Sequence, residues 1–267
     1  MGKDIKSLKT RIKSINSTLH LTTAMGLVAS AKIRSATENM NKSRQYKASL
    51  DETVNLLTSA KECEKSAYMQ KKSEGEICYI VVAGDRGLAG GYNANITRLV
   101  ATLSDAKIIP IGKKICERYG QPVLKAEGFS YEDASSLSKE LCQGFKDGKY
   151  KEVAIVSTKY VSMMTQTPEV KTILPLTKGE KANRGGLIYE PDEITVLEAV
   201  IEEYISASLI KAVRESFACE VVARRFAMDS AGKNAREMID DLKLEYNRAR
   251  QSTITQEITE IVAGSDQ

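Results

Sequence analysis

A chain of 267 residues with 42% hydrophobic content is long enough to bury one or two cores, and without any run of 18 apolar residues it offers no membrane-spanning helix. Aromatic residues make up only 6%, Trp is absent and 28% of residues are charged, the composition of long solvated helices with aliphatic or Ala seams. The net charge of +4 is mild and no nucleic-acid partner is expected, while five cysteines without a C-x-x-C pairing argue against a disulfide framework or zinc site and for reduced, mostly buried thiols.

All five prolines lie between Pro110 and Pro191, and thirteen of the seventeen glycines lie between Gly75 and Gly186. Proline removes a backbone donor and glycine costs a helix about 1 kcal/mol, so this distribution predicts helix, α/β middle, helix. The expected divisions are an N-terminal helix over 1–60, a central domain over 76–190 and a C-terminal helix over 192–264.

The first helix is expected from Lys3 to about Ser59, roughly 85 Å at 1.5 Å per residue. Ile5, Ile12, Leu19, Gly26, Ile33 and Met40 occupy successive a positions of a heptad; Leu8, Ile15, Thr22, Ala29 and Ala36 occupy d. A seven-residue seam sustained this far predicts a coiled coil, and the small residues around Gly26 and Ala29 predict close approach of a second helix. An ordinary long helix of a bundle remains open at this point. Residues 1–50 carry ten basic groups against Asp4 and Glu38, which favours an acidic partner or cavity. The charged N-terminus MGKDIKSLKTRIKSI has no signal-peptide core, so a cytoplasmic location is expected.

In the middle, Ile77–Ala83 reads as a buried strand, followed by the loop Gly84–Gly91 and a helix from about Asn93 to Leu103. A strand at Lys107–Ile111, helices at Lys113–Tyr119 and Tyr131–Phe145, a strand at Glu152–Thr158 and an edge strand at Glu169–Leu174 follow. Strands alternating with helices predict a Rossmann-like α/β layer with a mainly parallel sheet. The glycine-rich loop matches neither G-x-G-x-x-G nor G-x-x-x-x-G-K-[ST]. It admits two readings, a tight turn packing helix on strand and a nucleotide site. Neither clustered His and Cys ligands nor a cofactor motif is found, and His20, the one histidine, falls on the long helix.

From about Asp192 to Val262 there is no proline and one glycine, Gly232, with apolar positions at Val200, Ile201, Tyr204, Ile205, Leu209, Val213, Phe217, Val221, Met228, Met238, Leu242 and Ala249. Both helices leave the same middle, so an antiparallel pair burying both seams is expected. The C-terminal helix is the longer and overshoots by about 20 Å. Its end carries Ile254, Ile258, Ile261 and Val262 among Thr253, Thr255 and Thr259. Such a helix would fray alone, and its composition calls for a sleeve of other chains.

At this point the sequence resembles a known family. Residues Tyr246–Gly264 (YNRARQSTITQEITEIVAG) are similar to the C-terminal signature of the gamma subunits of F-type ATP synthases, Thr22–Arg34 (TTAMGLVASAKIR) to the N-terminal helix motif, and Asp85–Asn93 (DRGLAGGYN) to the first strand-to-helix loop. The three motifs stand in family order across nearly the whole chain. Departures are Thr23 where Lys is usual, Leu27 where Met is common and Ala89 where Cys is frequent. The resemblance implies a non-catalytic rotor shaft inside a ring of three alpha and three beta subunits. Its globular foot would meet the epsilon subunit and the membrane c-ring at the cytoplasmic face of the bacterial membrane. It implies no cofactor and no metal. Contacts to a beta-subunit catch loop are implied for Arg224, Arg250 and Gln251, with Thr255 and Glu257 in the same polar surface, and Met25 would face the acidic lever loop of beta. For Arg224, beside Arg225, a solvated helix face is the alternative. A nucleotide-binding enzyme with helical dimerisation arms and a coiled-coil scaffold are the competing readings.

Overall fold

The computed structural model describes residues 5–103, 106–121, 123–180 and 189–265. Lys3, Asp4, Pro122, Gly185 and Gly186, on which expectations above touch, lie outside them. Two helices bracket the chain, as their freedom from proline dictates: α1 spans Ile5–Thr58 and α5 spans Glu193–Ser265. Between them come β1 (Glu76–Val82), α2 (Tyr92–Ala101), β2 (Lys107–Ile111), α3 (Lys113–Tyr119), α4 (Tyr131–Lys146), β3 (Tyr150–Tyr160) and β4 (Gln166–Leu174), with a short 3₁₀ turn at Glu62–Lys65. The chain divides into two units, residues 31–223 and residues 1–30 with 224–267.

In the larger unit the sheet runs β2-β1-β3-β4, with β2, β1 and β3 parallel and β4 antiparallel at the edge. Side chains alternate across it. Cys78, Ile80 and Val82 of β1 with Val153 and Ile155 of β3 face one core. Tyr79, Val81 and Ala83 with Ala154 and Val156 face the other, against Ile96 and Val100 of α2 and Ile115 of α3. A strand apolar on both faces belongs to a sheet covered on both sides, which is why β1 reads as an unbroken hydrophobic run.

The first core is closed by α4 and by the inner portions of the two long helices, Val54 and Leu57 of α1 and Leu197, Ile201, Ile205, Leu209 and Val213 of α5. Residues 31–58 and 193–223 are therefore a helical layer of the α/β body. Two local features fix the loops. Ser130 and Asp133 form a reciprocal capping box at the start of α4. Gly112, at φ +107°, ends β2 so close to β1 that a Cβ would lie 2.1 Å from the Ala83 carbonyl oxygen, which only glycine permits.

Candidate subunit-contact surface

The smaller unit is a helix pair, and its register follows from its small residues. A Cβ on Gly26 of α1 would lie 3.3 Å from Arg225 Nη1 and 3.5 Å from Met228 Cβ; one on Gly232 of α5 would lie 3.8 Å from Leu19 Cδ1 and Thr22 Oγ1. Position rises along one helix as it falls along the other, so the pair is antiparallel. In this unit the seam of α1 is Leu8, Ile12, Ile15, Leu19, Thr22, Gly26 and Ala29, all buried or half-buried. Its partner seam is Met228, Gly232, Ala235, Ile239 and Leu242, buried at alternating steps of four and three. That is the heptad spacing of a knobs-into-holes pair. Met238, counted with the apolar positions from sequence, is exposed, and Ile239 holds the seam instead.

The seam fades at Tyr246 and Ala249, both half-buried, and every residue from 250 to 264 is exposed although α5 continues to Ser265. Continuing the register explains why: Gly232 stands opposite Leu19 and Thr22, so Ile5 falls near residue 249 and α1 has nothing further to offer. The expected overshoot is therefore present, on the order of 20 Å of single helix. Its threonines are held locally, with Thr253, Thr255 and Thr259 hydroxyls donating to the carbonyls of Ala249, Gln251 and Thr255 at 3.1, 2.9 and 2.8 Å. Ile254, Ile258, Ile261 and Val262 form one stripe, since they fall within about 100° of arc at about 100° per residue. All four are exposed, Ile261 by 71%.

The site residues inferred from sequence separate into two groups. Arg250, Gln251, Thr255 and Glu257 lie together on two turns of this uncovered helix, flanking the apolar stripe. Arg224 lies 26 residues earlier on the same helix, roughly 39 Å along its axis. It is only 9% exposed, so a solvated face does not describe it. Met25 is half-buried at the same level of the pair, beside Gly26, which faces Arg225. Thr23 is exposed, its hydroxyl donating to the Leu19 carbonyl at 2.8 Å. Lys6, Lys9, Arg11, Lys13 and His20 are exposed along the outer face of α1.

The glycine-rich loop is filled from within. Asp85 accepts from the backbone N–H groups of Lys113, Ala126 and Glu127 at 2.9, 3.0 and 2.7 Å, so its own carboxylate holds the amide at the start of α3. Gly84 N–H donates to Asn93 Oδ1 at 2.9 Å, and Asn93 Nδ2 donates to the Arg86 carbonyl. A Cβ at Gly84 would meet the Glu220 carboxyl at 2.8 Å. A carboxylate against this face of the loop opposes phosphate, and the tight-turn reading fits what is seen.

All five cysteines are buried and none is in a disulfide, and burial pushes the Cys78 thiol up to about 12 and Cys142 up to about 11. Among the described residues no group of three or more His, Cys, Asp and Glu could hold a metal ion, and no helix is long and apolar enough to cross a membrane.

Sequence reasoning missed a buried polar layer in the α/β body. Glu215 of α5, 5% exposed, accepts from Arg44 Nη2 of α1 at 2.7 Å and from Tyr160 N–H of β3 at 2.8 Å. Lys47, one turn along α1, is 2% exposed, paired with Asp51 and set 3.8 Å from the centre of the Tyr204 ring. Glu215 lies 171 residues from Arg44 and 55 from Tyr160, separations that leave no local pattern to read.

A helix pair ending in a surface that it cannot cover, carried on the same chain as an α/β body, defines a subunit built for assembly with other proteins. The model of the family described as ATP synthase matches residues 4–266. The ATP synthase gamma chain of Geotalea daltonii is 38% identical over 280 residues, covering 98% of each chain, and that of Ruminococcus albus is 39% identical over 280 residues with the same coverage. Among solved structures, a chain of the Euglena gracilis mitochondrial ATP synthase (OSCP/F1/c-ring, rotational state 3) matches with a TM-score of 0.70. It covers 98% of this chain and 93% of that one at 16% identity, a likeness of fold. The chain belongs to the ATP synthase gamma-chain family.

Proposed function

We propose that this chain is the central-stalk subunit of an F-type ATP synthase, turning within a ring of alpha and beta subunits and coupled through epsilon and a membrane c-ring to ion flow. The observation that carries this reading is the exposed stretch 250–264, where a helix without a partner presents an apolar stripe and the Arg250, Gln251, Thr255 and Glu257 side chains. In water such a surface is poorly placed; enclosed by a collar of other chains it becomes an interface. The helix pair of residues 1–30 with 224–267 acts as the shaft and the unit of residues 31–223 as the foot.

The working principle is differential contact. A shaft whose sides differ favours a different state of each beta subunit it faces, and rotation presents each side in turn. Arg250 and Arg224 suit carboxylate partners, because a guanidinium binds them bidentately. Met25 suits a surface that slides, because its thioether side chain adapts without fixed polar partners. The chain contributes no catalytic group of its own and sits peripherally at the cytoplasmic face of the bacterial membrane.

Mixing the full-length chain with purified alpha and beta subunits is expected to give a stable hexamer-plus-one with ATPase activity. Failure to co-assemble would favour an unrelated coiled-coil scaffold. Titration of the chain alone with nucleotide is expected to show no saturable heat; micromolar binding would restore the enzyme reading.

A further inference from the structure

In a two-helix coil the seam positions are apolar and the outer positions are charged, because only the seam is covered. Helix α1 keeps that rule near its start, where Lys6, Lys9, Arg11 and Lys13 are exposed, and breaks it further on. From Ser14 to Ala31 there is no Lys, Arg, Asp or Glu. Leu21, Leu27 and Val28 are 59%, 67% and 57% exposed, and Ala24 between them is exposed too. At about 100° per residue these four fall within about 120° of arc, roughly opposite the seam of Leu19, Thr22, Gly26 and Ala29. Helix α5 packs on that seam and leaves them uncovered. This stretch of α1 therefore carries a second apolar face.

Three features define what fits there. A charged partner surface would be desolvated with no counter-charge to meet it, a cost that an uncharged surface avoids. Ser14, Ser17, Leu21, Ala24 and Val28, all exposed, recur at alternating steps of three and four. That is the spacing by which one helix receives the side chains of another, and the serines and Ala24 are small enough for close approach. The hydroxyls around the face are already engaged: Ser17, Thr18, Thr23 and Ser30 donate to the carbonyls of Lys13, Ser14, Leu19 and Gly26 at 3.1, 3.2, 2.8 and 2.9 Å. An apolar surface can cover them without stranding a donor.

We infer, resting on the central-stalk reading, that this face docks an uncharged, apolar α-helix of the surrounding alpha and beta subunits, laid along α1 from Leu21 to Val28. The uncovered end of α5 belongs to the same helix pair, so one collar closes both surfaces. The contact differs in kind from any made by the basic residues before it. Apolar side chains against an apolar helix form no fixed ion pair that rotation would have to break, while the exposed leucines and valine leave water.

The test is co-assembly of the full-length chain with purified alpha and beta subunits, reading the chain concentration at which half of the rings are occupied. Leu27→Lys and Leu27→Glu are both expected to raise it about tenfold, since either charge is buried without a partner. Free in solution, both variants should unfold like wild type, because the position is exposed. A benzophenone side chain in place of Val28 should crosslink to a helical segment of alpha or beta that is free of charged residues. If Leu27→Lys tightens assembly while Leu27→Glu weakens it, or the crosslink falls in an acidic loop, the partner is acidic and the inference is overturned. Self-association of the chain alone that Leu27→Glu abolishes overturns it too, by making a second copy the occupant. Wild-type assembly that both charges leave unchanged removes this surface only, whereas failure of the wild-type chain to co-assemble removes the central-stalk reading and the surface with it.

Discussion

Replacing Glu215 by Ala tests whether the buried polar layer holds the two helices to the sheet. The carboxylate, 5% exposed, joins α5 to α1 through Arg44 Nη2 at 2.7 Å and to β3 through the Tyr160 N–H at 2.8 Å. Hydrogen bonds to a charged group contribute about 1.5–3 kcal/mol each, and removing one member of a buried pair costs about 3–5 kcal/mol because the other charge is stranded. Arg44 is one-third exposed and keeps its bond to the Tyr160 carbonyl at 2.7 Å, so it is partly rescued by water. The Tyr160 N–H is not. Together these put the loss at about 3 kcal/mol, and Glu215→Gln, which retains an acceptor but no charge, at about half that. With no Trp in the chain, urea unfolding is followed by far-ultraviolet circular dichroism, and hydrogen exchange at the Tyr160 amide gives a local readout. A Glu215→Ala protein within 1 kcal/mol of wild type, with the Tyr160 amide still protected, would refute the assignment.

Lys47 makes a pH prediction of opposite character. Its folded pKa lies near 8, below the unfolded 10.5, so between those values the unfolded chain binds the extra proton and stability rises with pH, while at pH 7 the full penalty of about 3 kcal/mol is present. Lys47→Met is therefore expected to unfold later than wild type at pH 7, with the advantage shrinking by pH 10.5; an advantage independent of pH would contradict this. At the seam, Gly26→Leu should destabilise the helix pair by about 1–3 kcal/mol by overpacking against Met228. Gly26→Ala should be neutral to slightly stabilising, because only the flexible Arg225 end must move and helix propensity improves by about 1 kcal/mol. Chemical denaturation distinguishes the two. Arg250→Ala is expected to leave assembly with alpha and beta subunits intact while coupled turnover falls; unchanged ATP synthesis would remove that residue from the contact surface.

How much could be read in advance depended on the range of the interaction. The two long helices, the seam from Ile5 to Met40 and the overshoot past Ala249 follow from proline-free stretches and a period of 3.5, which are properties of neighbours along the chain. The alternation of strands and helices and the edge place of β4 were legible for the same reason, since hydrophobic runs and flanking prolines are local, whereas the antiparallel direction of β4 came from its pairing with β3. The choice of Met238 over Ile239 was misread because both are apolar, and only the facing helix decides which of two adjacent residues points inward.

Tertiary structure alone decided the rest. That Val54, Leu57, Leu197 and Ile201 belong to the core of the α/β body, that Asp85 caps α3 across the loop, and that Arg44, Lys47, Tyr160 and Glu215 meet could not be found by spacing. A charged residue on a helix carries the same signature whether water or a distant strand lies over it. Burial is conferred by what packs above, and the sequence pattern of one helix holds no record of that partner.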